Sequence, residues 1–294
     1  MKTLEAQAVY VMWLREMKKF FRCWSRVIGM IAMPFFFLAF LGLGFQSLSL
    51  PGIVSSAGVA NILLSYWQYP SNLSILASYI AGQSASYLLQ SLGLSYTNFL
   101  APGMVGMILL FASMVAGMSI MWDREFGFLK EVMVAPVSRL SIAIGRTLGG
   151  VTTAIMQGLL ILGISFFIGV KISSPTGLSM SLVFMLLVST AFVCLGMAFA
   201  SRMTDFQGFM LIMNFIMFPL FFLSGALFPL SAFPSWLQIV AYFDPLTYGV
   251  DALRTTLIGM TGTLSLWVNF GVLIAFTAGM LLLSTYLFQK SEVD

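Results

Sequence analysis

Six long, predominantly apolar stretches constrain this chain more than any other feature. They lie at 27–46, 99–121, 142–169, 178–200, 207–229 and 266–288. A helix needs about 20 apolar residues to cross a bilayer, and only 8% of the residues are charged. That composition excludes an ordinary soluble domain and predicts an all-α integral membrane protein with six transmembrane helices. Gly145 and Gly149, four residues apart in the third stretch, predict close packing against another helix.

Lysine and arginine are distributed unequally between the two sides of the predicted membrane domain. Six spans place both termini on one side, and 12 of the 14 basic residues fall on that side. Only Lys171 and Arg254 fall on the other. Because basic residues are retained in the cytoplasm, the bias predicts a multi-pass protein of the cell membrane with cytoplasmic N- and C-termini.

The segment 1–26, before the first span, has the pattern of an amphipathic helix. One face holds Arg15, Lys18, Lys19, Arg22 and Arg26, and the other holds Trp13, Met17, Phe20 and Trp24. This pattern predicts a helix in the cytoplasmic membrane interface, with its aromatic side chains among the lipid headgroups. The alternative is that the basic residues only fix the topology.

Two segments outside the spans fall on the outer side. The uncharged segment 47–98 is interpreted as short helices on the outer surface, with an irregular loop as the alternative. The segment 230–262 begins a short helix at Pro234 and a second at Asp244 and Pro245, where aspartate would be the N-cap and proline the first helical residue. We predict a re-entrant hairpin here; a plain external loop is the alternative.

The densest charge cluster lies between the second and third spans. Residues 122–134 mix both charge signs with aromatic side chains at helical spacing, and Pro136 ends the pattern. Apolar side chains surrounded by charges are typical of a surface that docks on another protein. A helix lying on the membrane surface is the alternative.

Three sequence blocks resemble the type-2 ABC transporter permeases, most nearly the drug-resistance and nodulation-type exporters. The blocks are WDREFGFLKE at 122–131 with VAPVSR at 134–139, FLSGALFP at 222–229 with FPSWL at 233–237, and DPLTYGVDALR at 244–254. They occur in the family's order, and the resemblance covers most of the chain apart from 47–95. Phe128 stands where the family often has threonine, and the segment after the first span is longer than in the family.

The resemblance implies a role for three groups of residues. The segment 122–134 would be the coupling helix that docks on an ATPase subunit, and the N-terminal helix would be the connecting helix that also touches it. The hairpin would close the exit. The coupling residues would be Arg124, Glu125, Gly127, Phe128, Lys130, Glu131 and Pro136. The connecting helix would use Trp13, Met17, Phe20, Trp24, Arg15, Lys19 and Arg22. The external gate would use Gly225, Pro229, Asp244, Pro245, Asp251 and Arg254.

The source of energy follows from motifs that the chain lacks. It contains no GxxxxGKS or GxxxxGKT loop, so ATP and Mg²⁺ would be bound by a partner chain and no cofactor by this one. No acidic residue lies mid-span, which disfavours coupling to an ion gradient. Without histidine or mid-span carboxylates, an intramembrane enzyme is also disfavoured.

The resulting functional prediction is the permease subunit of an ATP-driven exporter, not an enzyme itself. The expected partners are two copies of a separate ABC ATPase, a second copy of this chain and the lipid bilayer, with no nucleic acid. The expected cargo is an amphipathic or lipid-like compound, because the spans are nearly uncharged and rich in Phe and Met. The alternatives are export of a lipid-linked glycan and a structural or assembly role.

Several single charges have interpretations of their own. Arg146, in the first turn of the third span, would extend to the cytoplasmic interface or line the pathway. Arg202 and Asp205 would form a local ion pair or a second, smaller ATPase contact. Asp251 and Arg254 would brace the hairpin rather than bind substrate.

Overall fold

The computed structural model describes residues 2–43, 96–126, 137–260 and 262–290, and the regular structure in these ranges is helical. The helices are α1 (Lys2–Arg22), α2 (Trp24–Phe36, continued by a π-helical segment Phe37–Leu43), α3 (Tyr96–Glu125), α4 (Arg139–Phe167), α5 (Pro175–Arg202), α6 (Phe206–Leu223), α7 (Ser235–Phe243), α8 (Pro245–Ile258) and α9 (Leu266–Lys290). A 3-10 turn, Leu230–Ala232, precedes α7. Most of the predicted outer segment, residues 47–95, lies outside the described ranges.

Five helices in the described ranges are long and apolar enough to cross a membrane: α3, α4, α5, α6 and α9. A sixth crossing is obtained when Glu5–Arg22 and Val27–Gly42, which meet at a bend of 67°, are counted as one span. The bend separates α1 from α2 at Cys23. The prediction of an all-α integral membrane protein is therefore confirmed.

The bundle is built around α3, which packs against α4, α5 and α8. Its apolar residues are buried on almost every side, as expected for a helix that is hydrophobic all round. By contrast, α6 and α9 expose large apolar side chains, among them Phe215 and Leu282. These exposed faces fit contact with lipid or with another transmembrane surface.

The ends of four helices define what we call the basic end of the bundle. There α3 ends at Glu125, α4 begins at Arg139, α5 ends at Arg202 and α9 ends at Lys290. The link between α4 and α5 lies at the opposite end and carries Lys171. The basic end is the side to which the sequence assigned the cytoplasm.

The helix α1 packs against α4 through the two glycines predicted to permit close packing. A Cβ atom on Gly145 would lie 2.8 Å from Met12 Cβ, and one on Gly149 would lie 2.7 Å from Glu16 Cβ. Both distances are too short for a real Cβ atom, so only glycine permits this approach. The glycine pair therefore receives the N-terminal helix.

The predicted aromatic face of α1 is partly covered by the protein. Met17 is buried, and Trp13 Nε1 donates a hydrogen bond to Thr152 Oγ1 of α4 at 3.1 Å. The placement of Trp13 and Met17 among lipid headgroups stays a prediction, and part of this face of α1 is covered by the protein itself. Phe20 is half-buried, and the side chain of Trp24 lies outside the described part.

Substituting Gly145 by leucine is expected to displace α1 from α4, since overpacking of this kind costs about 1–3 kcal/mol. Met12 is 5% exposed, so a Met12→Cys reporter in a Cys23→Ser background should resist alkylation unless α1 moves. We expect Gly145→Leu to expose this reporter. Gly163→Leu on the same helix is the matched control, because a Cβ there meets nothing within 4 Å. Equal labelling in both variants would contradict the packing.

Candidate functional site

Near the end of α3, Asp123 is buried and pairs with cations from two other helices. Its Oδ2 atom lies 2.7 Å from Arg15 Nη1 of α1 and 2.8 Å from Arg146 Nη2 of α4. Lys19 Nζ, also on α1, lies 3.2 Å from Oδ1. A single carboxylate thus joins three helices at the basic end.

A second acid completes this group. Glu16 of α1 accepts a hydrogen bond from Ser119 Oγ of α3 at 3.0 Å and lies 3.4 Å from Lys19 Nζ. Lys19 also donates to Ser119 at 3.2 Å. We call Arg15, Glu16, Lys19, Asp123 and Arg146 the charge cluster.

Both interpretations of Arg146 are wrong. The arginine neither extends to the interface nor lines an open path, because its side chain is only 4% exposed and pairs with Asp123. A buried guanidinium without a carboxylate would carry a desolvation penalty of several kcal/mol. The pair with Asp123 offsets that penalty and fixes the ends of α3 and α4 relative to each other.

Beyond the charge cluster, the end of α3 is exposed. The helix continues through Glu125, and Phe126 in the following turn is 81% exposed. Trp122 stacks on Phe206, the first residue of α6, with ring centroids 5.7 Å apart. Residues 122–125, which the sequence assigns to the start of the coupling helix, form the last turn of α3.

The rest of the predicted coupling helix lies outside the described residues. This applies to the positions Gly127, Phe128, Lys130, Glu131 and Pro136, and to the side chain of Arg124. The part of the predicted docking segment that can be placed is therefore Glu125 and Phe126. Both are exposed at the basic end.

The predicted ion pair between Arg202 and Asp205 is absent from the described residues. Asp205 is instead the N-cap of α6 and accepts hydrogen bonds from the backbone N–H groups of Gln207 at 3.1 Å and Gly208 at 2.7 Å. These donors lie within one helical turn and are otherwise unsatisfied. They therefore occupy both carboxylate oxygens.

At the opposite end, two short helices, α7 and α8, meet at Asp244, and we call this pair the α7–α8 hairpin. That the pair re-enters the membrane stays a prediction. Asp244 is the N-cap of α8, accepting from the Leu246 N–H at 2.8 Å, and Pro245 is the first helical residue. Pro229 immediately precedes the 3-10 turn before α7. Asp244 lies in the link between the two helices, outside the five spans. Burial raises the pKa of its carboxyl group from 3.8 to about 8.

The raised pKa of Asp244 predicts a pH-dependent stability. From about pH 4 to pH 8 the folded protein holds a proton that the unfolded chain has released, so the free energy of unfolding falls as pH rises through this window. Asp244→Asn keeps the cap and removes the titration. We expect the melting temperature of the variant, relative to that of the wild type, to rise as the pH is raised from 5 to 8. A difference that is constant with pH would contradict the assignment.

Two buried charges on α8 connect the hairpin to other helices. Asp251 accepts from the backbone N–H groups of Thr263 at 2.8 Å and Leu264 at 3.2 Å, and from Asn269 Nδ2 of α9 at 2.9 Å. Arg254 donates to the Gly225 carbonyl, in the α6–α7 link, at 2.9 Å. The two residues therefore reach separate parts of the bundle.

A known protein family matches most of this chain, including the elements described above. A model for ABC-2 type transporters matches residues 7–258, which include most of α1, the charge cluster and the α7–α8 hairpin. The chain belongs to the ABC-2 type transporter family. The matched range contains the last turn of α3, the charge cluster and the α7–α8 hairpin.

Individual ABC-2 relatives extend this comparison. The chain is similar to a putative transport permease ycf38 of Cyanophora paradoxa, with 29% identity over 58% of this chain and 60% of that protein. It is 27% identical to the inner membrane transport permease YadH of Escherichia coli K12, over 68% of this chain and 77% of YadH. It is 26% identical to nodulation protein J of Rhizobium leguminosarum bv. viciae, over 67% and 76% respectively.

Proposed function

We propose that this chain is the membrane permease subunit of an ATP-driven ABC exporter. The observation that carries the proposal is the form of α3. It is buried along the bundle, yet it ends in the exposed residues Glu125 and Phe126 at the basic end. A protein bound at those residues would act directly on the central helix of the membrane domain.

The charge cluster supports transmission of force from that end. It joins α3 to α1 and α4 within about two helical turns of Phe126. Paired charges of low exposure are expensive to separate, so the three helices would move together. The predicted contact of α1 with the ATPase would then act on the same group of helices.

The partner is proposed to be a separate ABC ATPase. This sequence has no phosphate-binding loop of the GxxxxGKS or GxxxxGKT type, so ATP hydrolysis is assigned to the other chain. By the positive-inside rule the basic end would face the cytoplasm, where ATP is available. Two permease chains and two ATPase chains would form the transporter.

The cargo is proposed to be an amphipathic or lipid-like compound that leaves the cell. Exposed Phe, Leu and Met side chains on α6 offer an adaptable apolar surface. None of the five spans carries a buried acidic group away from its ends in the described residues, and the buried Asp123 is already paired. This arrangement favours an apolar route over an ion path.

Assembly with the ATPase tests the proposal. The chain should be co-expressed in turn with each ABC ATPase subunit of the same genome, purified through a tag on the ATPase and transferred to lipid nanodiscs. We expect native mass measurement to give a complex of two permease and two ATPase chains. Recovery of the ATPase without this chain would overturn the proposal and favour a structural or assembly role.

A further inference from the structure

Arg254 occupies an unusual position in the α7–α8 hairpin. Its side chain is buried and its guanidinium carbon lies 3.8 Å from the ring centroid of Phe99, on α3. The same guanidinium donates to the carbonyl of Gly225 in the α6–α7 link. The ring quadrupole attracts a cation that lies over an aromatic face, and the attraction is stronger where water is removed. Arg254 thus contacts α3 and the α6–α7 link at once.

Two further contacts attach the α6–α7 link to the same end of α3. Tyr96 donates its hydroxyl hydrogen bond to the Leu227 carbonyl at 3.0 Å. A Cβ atom on Gly103 would overlap the carbonyl of Ala226, so the backbones meet directly there. Residues 225–227 are therefore held against α3 in three ways: by the Arg254 side chain that bridges to Phe99, by the Tyr96 hydrogen bond, and by direct backbone contact at Gly103.

Asp251, the other buried charge of α8, connects the hairpin to α9. Asp251 binds the start of α9 through Asn269 and two backbone N–H groups, one turn from Arg254. Consequently α8 is fixed to α9 by its acid and to α3 by its base. The hairpin is attached to the central helix rather than free to move as an independent flap.

Each end of α3 is attached to different parts of the protein. The basic end carries the charge cluster and the exposed residues Glu125 and Phe126, and the other end carries Phe99 and Tyr96. The helix runs without a break through its 30 residues, with Pro102 near the end that carries Tyr96 and Phe99. We propose that Arg254 is the positioning residue through which movement of α3 reaches the α7–α8 hairpin. This inference rests on the proposed function and assigns the residue that connects ATP use to the exit.

The inference is tested by measuring hairpin movement and ATP hydrolysis separately in an Arg254 variant. One spin label at Trp236→Cys, 67% exposed on α7, reports a single distance across the permease dimer in a Cys23→Ser background. In the wild-type complex we expect this distance to change when nucleotide is trapped. In Arg254→Met we expect ATP hydrolysis within about twofold of wild type but no change in the distance. A residue with only a structural role would lower both measurements together.

Two further variants keep the test decisive. Lys171→Met is the matched control, because it removes an exposed cation at the same end, and it should behave as wild type. Phe99→Leu removes the aromatic ring that Arg254 contacts without altering any charge and should reduce the distance change. A full distance change in Arg254→Met overturns the inference. If Arg254→Met does not assemble, a full change in Phe99→Leu overturns it. Failure of the wild-type chain to bind the ATPase overturns the proposed function and this inference with it.

Discussion

Replacing Asp123 by asparagine is expected to lower the free energy of unfolding by about 3–5 kcal/mol, the usual cost of removing one partner of a buried ion pair. The substitution leaves Arg146 buried without a carboxylate and also removes the charge that Arg15 and Lys19 contact. Thermal unfolding of the purified protein, followed by tryptophan fluorescence, measures the loss.

Two comparisons separate this effect from a general loss of negative charge. Asp205→Asn changes an exposed carboxylate at the same end, and asparagine caps helices as well as aspartate does, so a loss of only a few tenths of a kcal/mol is expected. The double variant Asp123→Leu and Arg146→Met replaces the ion pair by apolar groups and should recover much of the stability. Equal losses in Asp123→Asn and Asp205→Asn would contradict the role of the charge cluster.

Replacing Phe126 by aspartate is expected to weaken binding of the ATPase by about 30-fold or more, because truncating an aromatic anchor typically costs at least about 2 kcal/mol. Phe126 is 81% exposed, so its removal should leave the melting temperature of the isolated chain unchanged. Binding of the detergent-purified chain to the immobilised ATPase gives both the affinity and its change.

The control for Phe126→Asp is a charge change far from the docking end. Lys171→Glu alters an exposed residue at the opposite end of the bundle and should leave the affinity for the ATPase unchanged. Equal affinity of wild type and Phe126→Asp would show that the exposed end of α3 is not the docking surface.

The helices and caps were predictable because their signals are local. Apolar stretches located the spans, and the pair Asp244 and Pro245 located the start of α8 correctly. The predicted ion pair of Asp205 was wrong because backbone N–H groups lie nearer to its carboxylate than the expected partner does. Asp205 was assigned to Arg202, but the N–H groups of α6 occupy its carboxylate.

The charge cluster was not predictable from spacing, because it depends on how three helices pack. Arg15 and Asp123 are 108 residues apart, and nothing in either local pattern indicates the other. The glycines at 145 and 149 predicted a close approach but not its partner. The observation that α1 fills this groove explains both the burial of Met17 and the pairing of Arg15 with α3.

ATP hydrolysis by the complex in lipid nanodiscs tests the permease assignment most directly. The wild-type chain and Glu125→Arg should each be combined with the ABC ATPase subunits of the same genome, with Lys171→Glu as the control. We expect wild type and Lys171→Glu to assemble and hydrolyse ATP, and Glu125→Arg to lose assembly and activity. Failure of the ATPase to assemble with the wild-type chain, or full ATP hydrolysis with Glu125→Arg, would contradict coupling through the exposed end of α3.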